Sequence, residues 1–128
     1  MKVLLDTHVM LALLRRDIAK HYPAIAKQLS DPETLGLVSV ASLWETAIKT
    51  RLGKLDPGMA LEDIAGYLEA VGLAILPIKA AHVSALAQPE PTTRDPFDRL
   101  LLAQCQTEGL VLATVDRALA SHRLALQA

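Results

Sequence analysis

The chain has 128 residues, 52% of them hydrophobic and 21% charged, which excludes a disordered polypeptide and allows a core without staples. Thirteen basic residues oppose fourteen acidic ones, so a formal charge of −1 offers no global footprint for nucleic acid; any such binding rests on a local patch. A lone cysteine, Cys105, excludes an intramolecular disulfide, and aromatics at 3% leave the core to Leu, Ala, Val and Ile.

"KVLL" (2–5) predicts a buried strand. After Asp6 the spacing turns helical, with Val9, Leu11, Ala12 and Leu13 repeating as far as Arg15 and Arg16. This opening stretch carries an acid and a histidine within its apolar run and lacks a small-residue cleavage site, so no secretory signal is expected. No run approaches the roughly 20 apolar residues of a membrane span, and a cytoplasmic location without membrane attachment is the expectation. Residues 23–30 predict a second helix, with Pro23 in its first turn and Asp31-Pro32 closing it. "LGLVS" (35–39) reads as the next strand. "ASLWETAIKTRLGKL" reads as a helix with Leu43, Ala47, Ile48 and Leu52 inward, stopped at Gly53.

"ALEDIAGYLEAVG" (60–72) predicts a helix with Leu61, Ile64, Ala65 and Leu68 inward, "LAILPI" (73–78) a strand, and 79–88 a short helix. Three prolines make 89–96 a loop. A helix then runs from about 96 to 108, Cys105 within it as a buried thiol. Gly109, the strand "LVLAT" (110–114), a short helix from Asp116 to about His122, and "LALQ" as a possible edge strand complete the chain. Buried strands alternating with amphipathic helices imply an α/β domain spanning 1–128, with a mostly parallel sheet and helices on both faces.

In open α/β sheets ligands bind beyond the carboxyl ends of the strands. Asp6 follows the first strand and Asp116 the last, Glu45 lies early in the helix after "LVS", and Asp95 and Asp98 open the helix before "LVLAT". Each acid has an ordinary structural reading. Asp6, Asp95 and Asp116 suit helix N-caps, Asp98 suits the helix dipole, "SLWE" (42–45) fits a capping box, and Glu45 and Lys49 fit an i,i+4 pair. Together they read differently, because converging carboxylates repel unless a cation neutralises them. A set without Cys or His suits a hard ion, Mg²⁺ or Mn²⁺, able to activate water for attack at phosphorus.

"LLDTHVMLALL", "SVASLWETAIKTRLGKL", "RDPFDRLLLAQ" and "LVLATVD" together resemble the PIN-domain family, and more narrowly its VapC-type toxins of toxin–antitoxin pairs. The resemblance implies a three-layer α/β/α sandwich and a metal-dependent ribonuclease site built from Asp6, Glu45, Asp98 and Asp116. Asp6, Glu45 and Asp98 would be the direct ligands of one or two Mg²⁺ or Mn²⁺ ions, with Asp116 a ligand or just behind them. The third acid falls on Asp98 because the family pattern D-x-x-x-x-A, some 18 residues before the last acid, fits Asp98 with Ala103 and not Asp95. Asp95 becomes the helix cap, with a water-mediated contact to the metal left open, and Thr114 matches a Ser/Thr often found two places before the last acid. Hydrolysis by metal-activated water would leave a 5′-phosphate and a 3′-hydroxyl. The resemblance also implies an RNA substrate, a cognate antitoxin and a homodimer. Leu11, Leu14, Leu52, Met59 and Tyr67 give that dimer modest support as apolar positions beyond the needs of one small core.

Arg94, Arg99, Arg117 and Lys49 flank the acids and suit a phosphate-gripping rim, Arg99 leaning towards function; Arg15, Arg16 and Lys54 lean towards solvated faces or a partner. His8, beside the site, is read as a substrate contact or an orienting group. His21, His82 and His122 are expected at the surface or in caps, and Trp44 as a packing anchor rather than a base-stacking platform. Two rival functions fit the sequence less well. A catalytically silent PIN-like module that binds RNA or protein is disfavoured by the presence of all four acids. A phosphatase of the haloacid dehalogenase type needs D-x-D, where this chain has His8 in place of the second aspartate.

Overall fold

The computed structural model describes residues 1–127. Strand β1 (Lys2–Leu5) pairs in parallel with β2 (Leu35–Ser39) on one side and β4 (Val111–Ala113) on the other, and β3 (Ala74–Leu76) extends the sheet beyond β2. The order β3-β2-β1-β4 is all parallel, with Leu5 of β1 opposite both Val38 and Ala113. Every connection is therefore a crossover carrying helices: α1 (Thr7–Leu14), α2 (Ile18–His21) and α3 (Pro23–Ser30) after β1; α4 (Val40–Arg51), a 3₁₀ turn (Leu61–Asp63) and α5 (Ile64–Ala70) after β2. The third crossover holds α6 (Ala80–Ser84) and α7 (Pro96–Glu108), and α8 (Arg117–Ala120) follows β4.

The twofold alternation of strand side chains makes two cores. Val3, Leu5 and Val38 face one side with Val9, Met10 and Leu14 of α1, Ile25 of α3, and Ile64 and Leu68 of α5. Leu4 and Leu112 face the other with Leu76, Leu101, Leu102 and Cys105 of α7, Leu119 of α8 and Leu124. The sheet is thus the middle of three layers, as the alternating elements predicted. Full burial of each such leucine contributes about 1.5–3 kcal/mol. Gly36 marks a close approach, because a Cβ there would meet Leu73 Cδ2 at 2.4 Å.

Several expectations need correction. A short helix, α2, fills 18–21, where no element was expected. Helix α4 starts at Val40 with Ser39 as its cap, the Ser39 hydroxyl accepting from the Ala41 N–H, so Ser42–Glu45 is not a capping box. The same helix buries Ala41, Ser42, Glu45 and Thr46, while Leu52 is 63% exposed; the face toward the protein is largely polar. Leu11 and Leu14 belong to the core, which removes them from any surplus for a partner. "LALQ" adds one bridge, Leu112 to Ala125, and no strand. His82 and His122 are buried rather than at the surface, but His82 does serve a cap: its ring accepts from the N–H of Lys79, the N-cap of α6, and lies 3.0 Å from Glu108.

Candidate active site

Strands β1, β2 and β3 follow one another outward in one direction, and the chain then crosses back to place β4 on the free side of β1. That reversal opens a crevice past the carboxyl ends of β1 and β4, the place where parallel sheets hold ligands. Asp6 and Asp116 flank it. The Asp6 N–H continues the ladder by donating to the Ala113 carbonyl at 2.9 Å. Its carboxylate caps α1, Oδ1 accepting from the Val9 N–H at 2.8 Å, and also accepts from the Thr114 hydroxyl. The Thr114 hydroxyl in turn accepts from the Asp116 N–H at 3.1 Å, and Asp116 Oδ1 caps α8 by accepting from the Ala118 N–H. One threonine therefore links both acids across the crevice.

Glu45 arrives from α4, which packs against α1 and α7. It is only 6% exposed, and both its oxygens are used: Oε1 accepts from the Thr7 hydroxyl at 2.6 Å, and Oε2 is paired with the Lys49 ammonium. The Thr7 hydroxyl also lies 3.1 Å from the Ser42 hydroxyl. Thr7 and Ser42 are the positioning residues that sequence reasoning passed over. The available signal was position: Thr7 follows the first acid directly, and Ser42 precedes Glu45 by nearly one helical turn.

Asp95 and Asp98 arrive from α7. Asp95 Oδ1 accepts from the Phe97 and Asp98 N–H groups at 2.8 and 3.3 Å, Pro96 takes the next position, and Asp98 stands in the first turn. The turn out of the proline loop is therefore set by local chemistry. Asp98 is surrounded by like charge. Burial, then Asp95, Asp116, Glu45 and Asp6, push its carboxyl up to about 6. Burial also raises the Asp6 carboxyl, against the hydrogen bonds from Thr114 and Val9. The same negative charge also raises Lys49, held above its usual value by its bond to Glu45 and by the charges of Glu45, Asp95 and Asp98.

The remaining residues divide. The Arg99 guanidinium is turned into the preceding loop, donating to the Thr93 carbonyl at 2.7 Å and the Pro91 carbonyl at 3.0 Å. Neighbours in a helix point about 100° apart, so adjacency to Asp98 does not by itself aim Arg99 at the acids. Arg94 and Arg117 are exposed. His8 is exposed beside Asp6, whose charged form it favours.

Among the described residues no three His, Cys, Asp or Glu side chains form a ready cage for a metal ion, because the caps and the Glu45 contacts occupy part of the donor set. The chemistry of that set nonetheless fits a hard divalent cation. The charges of Asp95, Asp116, Glu45 and Asp6 all reach Asp98 and raise its proton affinity, and an ammonium is already drawn among these acids.

An all-parallel sheet with acids gathered at its reversal point defines an α/β protein with an anionic, cation-seeking site. The chain belongs to the PIN-domain family, whose model matches residues 3–123. PIN domains are usually nucleases and generally bind a divalent metal. No curated relative matches the chain. No helix among the described residues is long and apolar enough to cross a membrane.

Proposed function

We propose that this chain is a Mg²⁺- or Mn²⁺-dependent endoribonuclease of the VapC toxin type, a cytoplasmic homodimer silenced by a cognate antitoxin. The observation that carries the nuclease reading is the gathering of five carboxylates at the switch point of a PIN-family sheet. The four motifs quoted above support the narrower toxin reading.

Asp6, Glu45 and Asp98 are the proposed metal ligands, with Asp116 a fourth ligand or a support behind them. When bound, the ion supplies an acidified water and charge stabilisation for in-line displacement at phosphorus. Thr114 holds Asp6 in register with Asp116, and Thr7 with Ser42 fixes the rotamer of Glu45. Asp95, as cap, sets the direction in which α7 presents Asp98. Arg94 and Arg117 are the exposed cations available to steady flanking phosphates.

The test is incubation of the purified, partner-free chain with RNA in Mg²⁺, in Mn²⁺ and in EDTA, repeated with Asp6→Asn and Asp98→Asn. Cleavage in either metal, leaving 5′-phosphate ends and lost in EDTA and in each variant, is expected. Cleavage surviving EDTA or both substitutions overturns the metal-nuclease reading.

A further inference from the structure

Trp44, expected as a packing anchor, packs on one neighbouring ring and stands otherwise in solvent. It is 60% exposed in the middle of α4, although it is the chain's one tryptophan and aromatics are scarce. Its ring meets Phe97 of α7 edge-on, with centroids 5.9 Å apart and planes at 75°. An edge-to-face pair orients an indole and leaves most of its surface open. The pair straddles the contact between α4 and α7, and each ring neighbours a site carboxylate in the chain: Trp44 precedes Glu45 and Phe97 precedes Asp98. The α4–α7 contact that joins the two rings is also the one across which the charge of Glu45 reaches Asp98, so the aromatic pair borders the acid cluster.

We propose that Trp44, braced by Phe97, is a stacking site for an unpaired nucleobase of the RNA whose phosphate occupies the acid crevice. This inference rests on the nuclease reading and specifies its substrate class as single-stranded or looped RNA, since bases within a helix have no free face to offer. Every base has a π-face, so such a site selects for unpairedness more than for sequence. A protein partner would cover a far larger area, about 800 Å² per side, than one ring pair provides. Arg51, exposed further along α4, suits a polyanion.

Because the chain has one tryptophan, its fluorescence reports on this position alone. The full chain carrying Asp98→Asn, to keep the strand intact, is titrated in Mg²⁺ with a single-stranded oligoribonucleotide, the same strand in a duplex, and an abasic strand. Quenching by the first and not by the other two is expected. In the same background, Trp44→Ala weakens single-strand binding about tenfold by anisotropy and Trp44→Phe retains most of the affinity. With Asp98 intact, Trp44→Ala raises KM for cleavage and leaves kcat nearly unchanged. Thermal melts near those of the wild type are expected for both Trp44 variants, since the ring is exposed.

Equal quenching by the abasic strand, or a Trp44→Ala variant that binds and cuts like the wild type, overturns the proposal. The second outcome would assign the ring to a protein partner and leave the nuclease reading standing. A wild-type chain that neither binds nor cuts RNA overturns both.

Discussion

Asp98→Asn should make the metal-free protein more stable at neutral pH while abolishing activity. The carboxyl of Asp98 is pushed up to about 6 from an ordinary 3.8 by burial and by Asp95, Asp116, Glu45 and Asp6. A displacement of roughly two units corresponds to about 3 kcal/mol against the ionised form in the folded state. Asp98 is only partly buried, and solvent screening reduces that to about 1–2 kcal/mol. The contact from Thr93 to Asp98 Oδ2, at 3.5 Å, is too long to add much.

The folded protein holds this proton more tightly than the unfolded chain, so ionisation costs stability. The cost is full above about pH 7, shrinks as pH falls through 6, and is gone only below about pH 3, where both states are protonated. Asparagine mimics the neutral acid, so its advantage follows the same curve. Urea unfolding in EDTA should place the variant about 1–2 kcal/mol above the wild type at about pH 7.5, with the gap closing towards about pH 3. Mg²⁺ should then raise the wild type and leave the variant nearly unmoved. A variant less stable than the wild type in EDTA at neutral pH, or a gap that ignores pH, would refute the claim of crowded charge at Asp98.

Thr7→Val removes the hydroxyl that Glu45 Oε1 accepts from and should cost about 1–3 kcal/mol by leaving a buried carboxylate oxygen unpaired, with cleavage falling in parallel. Denaturant unfolding and a cleavage assay on one preparation would check it. Asp95→Ala removes the cap of α7 and should cost about 1 kcal/mol, whereas Asp95→Asn should stay near the wild type because asparagine caps equally well. Thermal melts of the pair separate capping from charge. Gly36→Ala should cost about 1–3 kcal/mol by forcing Leu73 off its rotamer, and Leu73→Ala in the same chain should recover part of the loss by urea unfolding.

What the sequence reveals of this protein depends on how local each cause is. Asp95-Pro96 marks the start of α7, and Gly109, at φ 70°, its end, because caps and left-handed glycines act within one turn. The strand cores are equally readable as short apolar runs. Helix α4 was misread because apolar periodicity assumes that a helix buries its apolar face, and this one turns Ser42, Glu45 and Thr46 inward to meet Thr7. The hold of Arg99 on the Pro91 and Thr93 carbonyls is not legible either, because adjacency to Asp98 along the chain says nothing of direction around a helix. The gathering of the acids depends on β4 returning to the free side of β1, a long-range fact with no local signature.

The return of β4 also governs when the crevice exists. β1 is the first strand synthesised and β4 the last, and their pairing closes roughly a hundred residues of chain. Until β4 docks, Asp116 and Thr114 are absent from the crevice, and Asp6 loses both the ladder bond that seats it and the hydroxyl that orients it. A nascent chain therefore carries its first acids long before it has anything to close the site with. Assembly of the crevice is a late step of folding, coupled to the most non-local contact in the sheet. For a protein whose proposed substrate surrounds it during its own synthesis, that order keeps the unfinished chain inert.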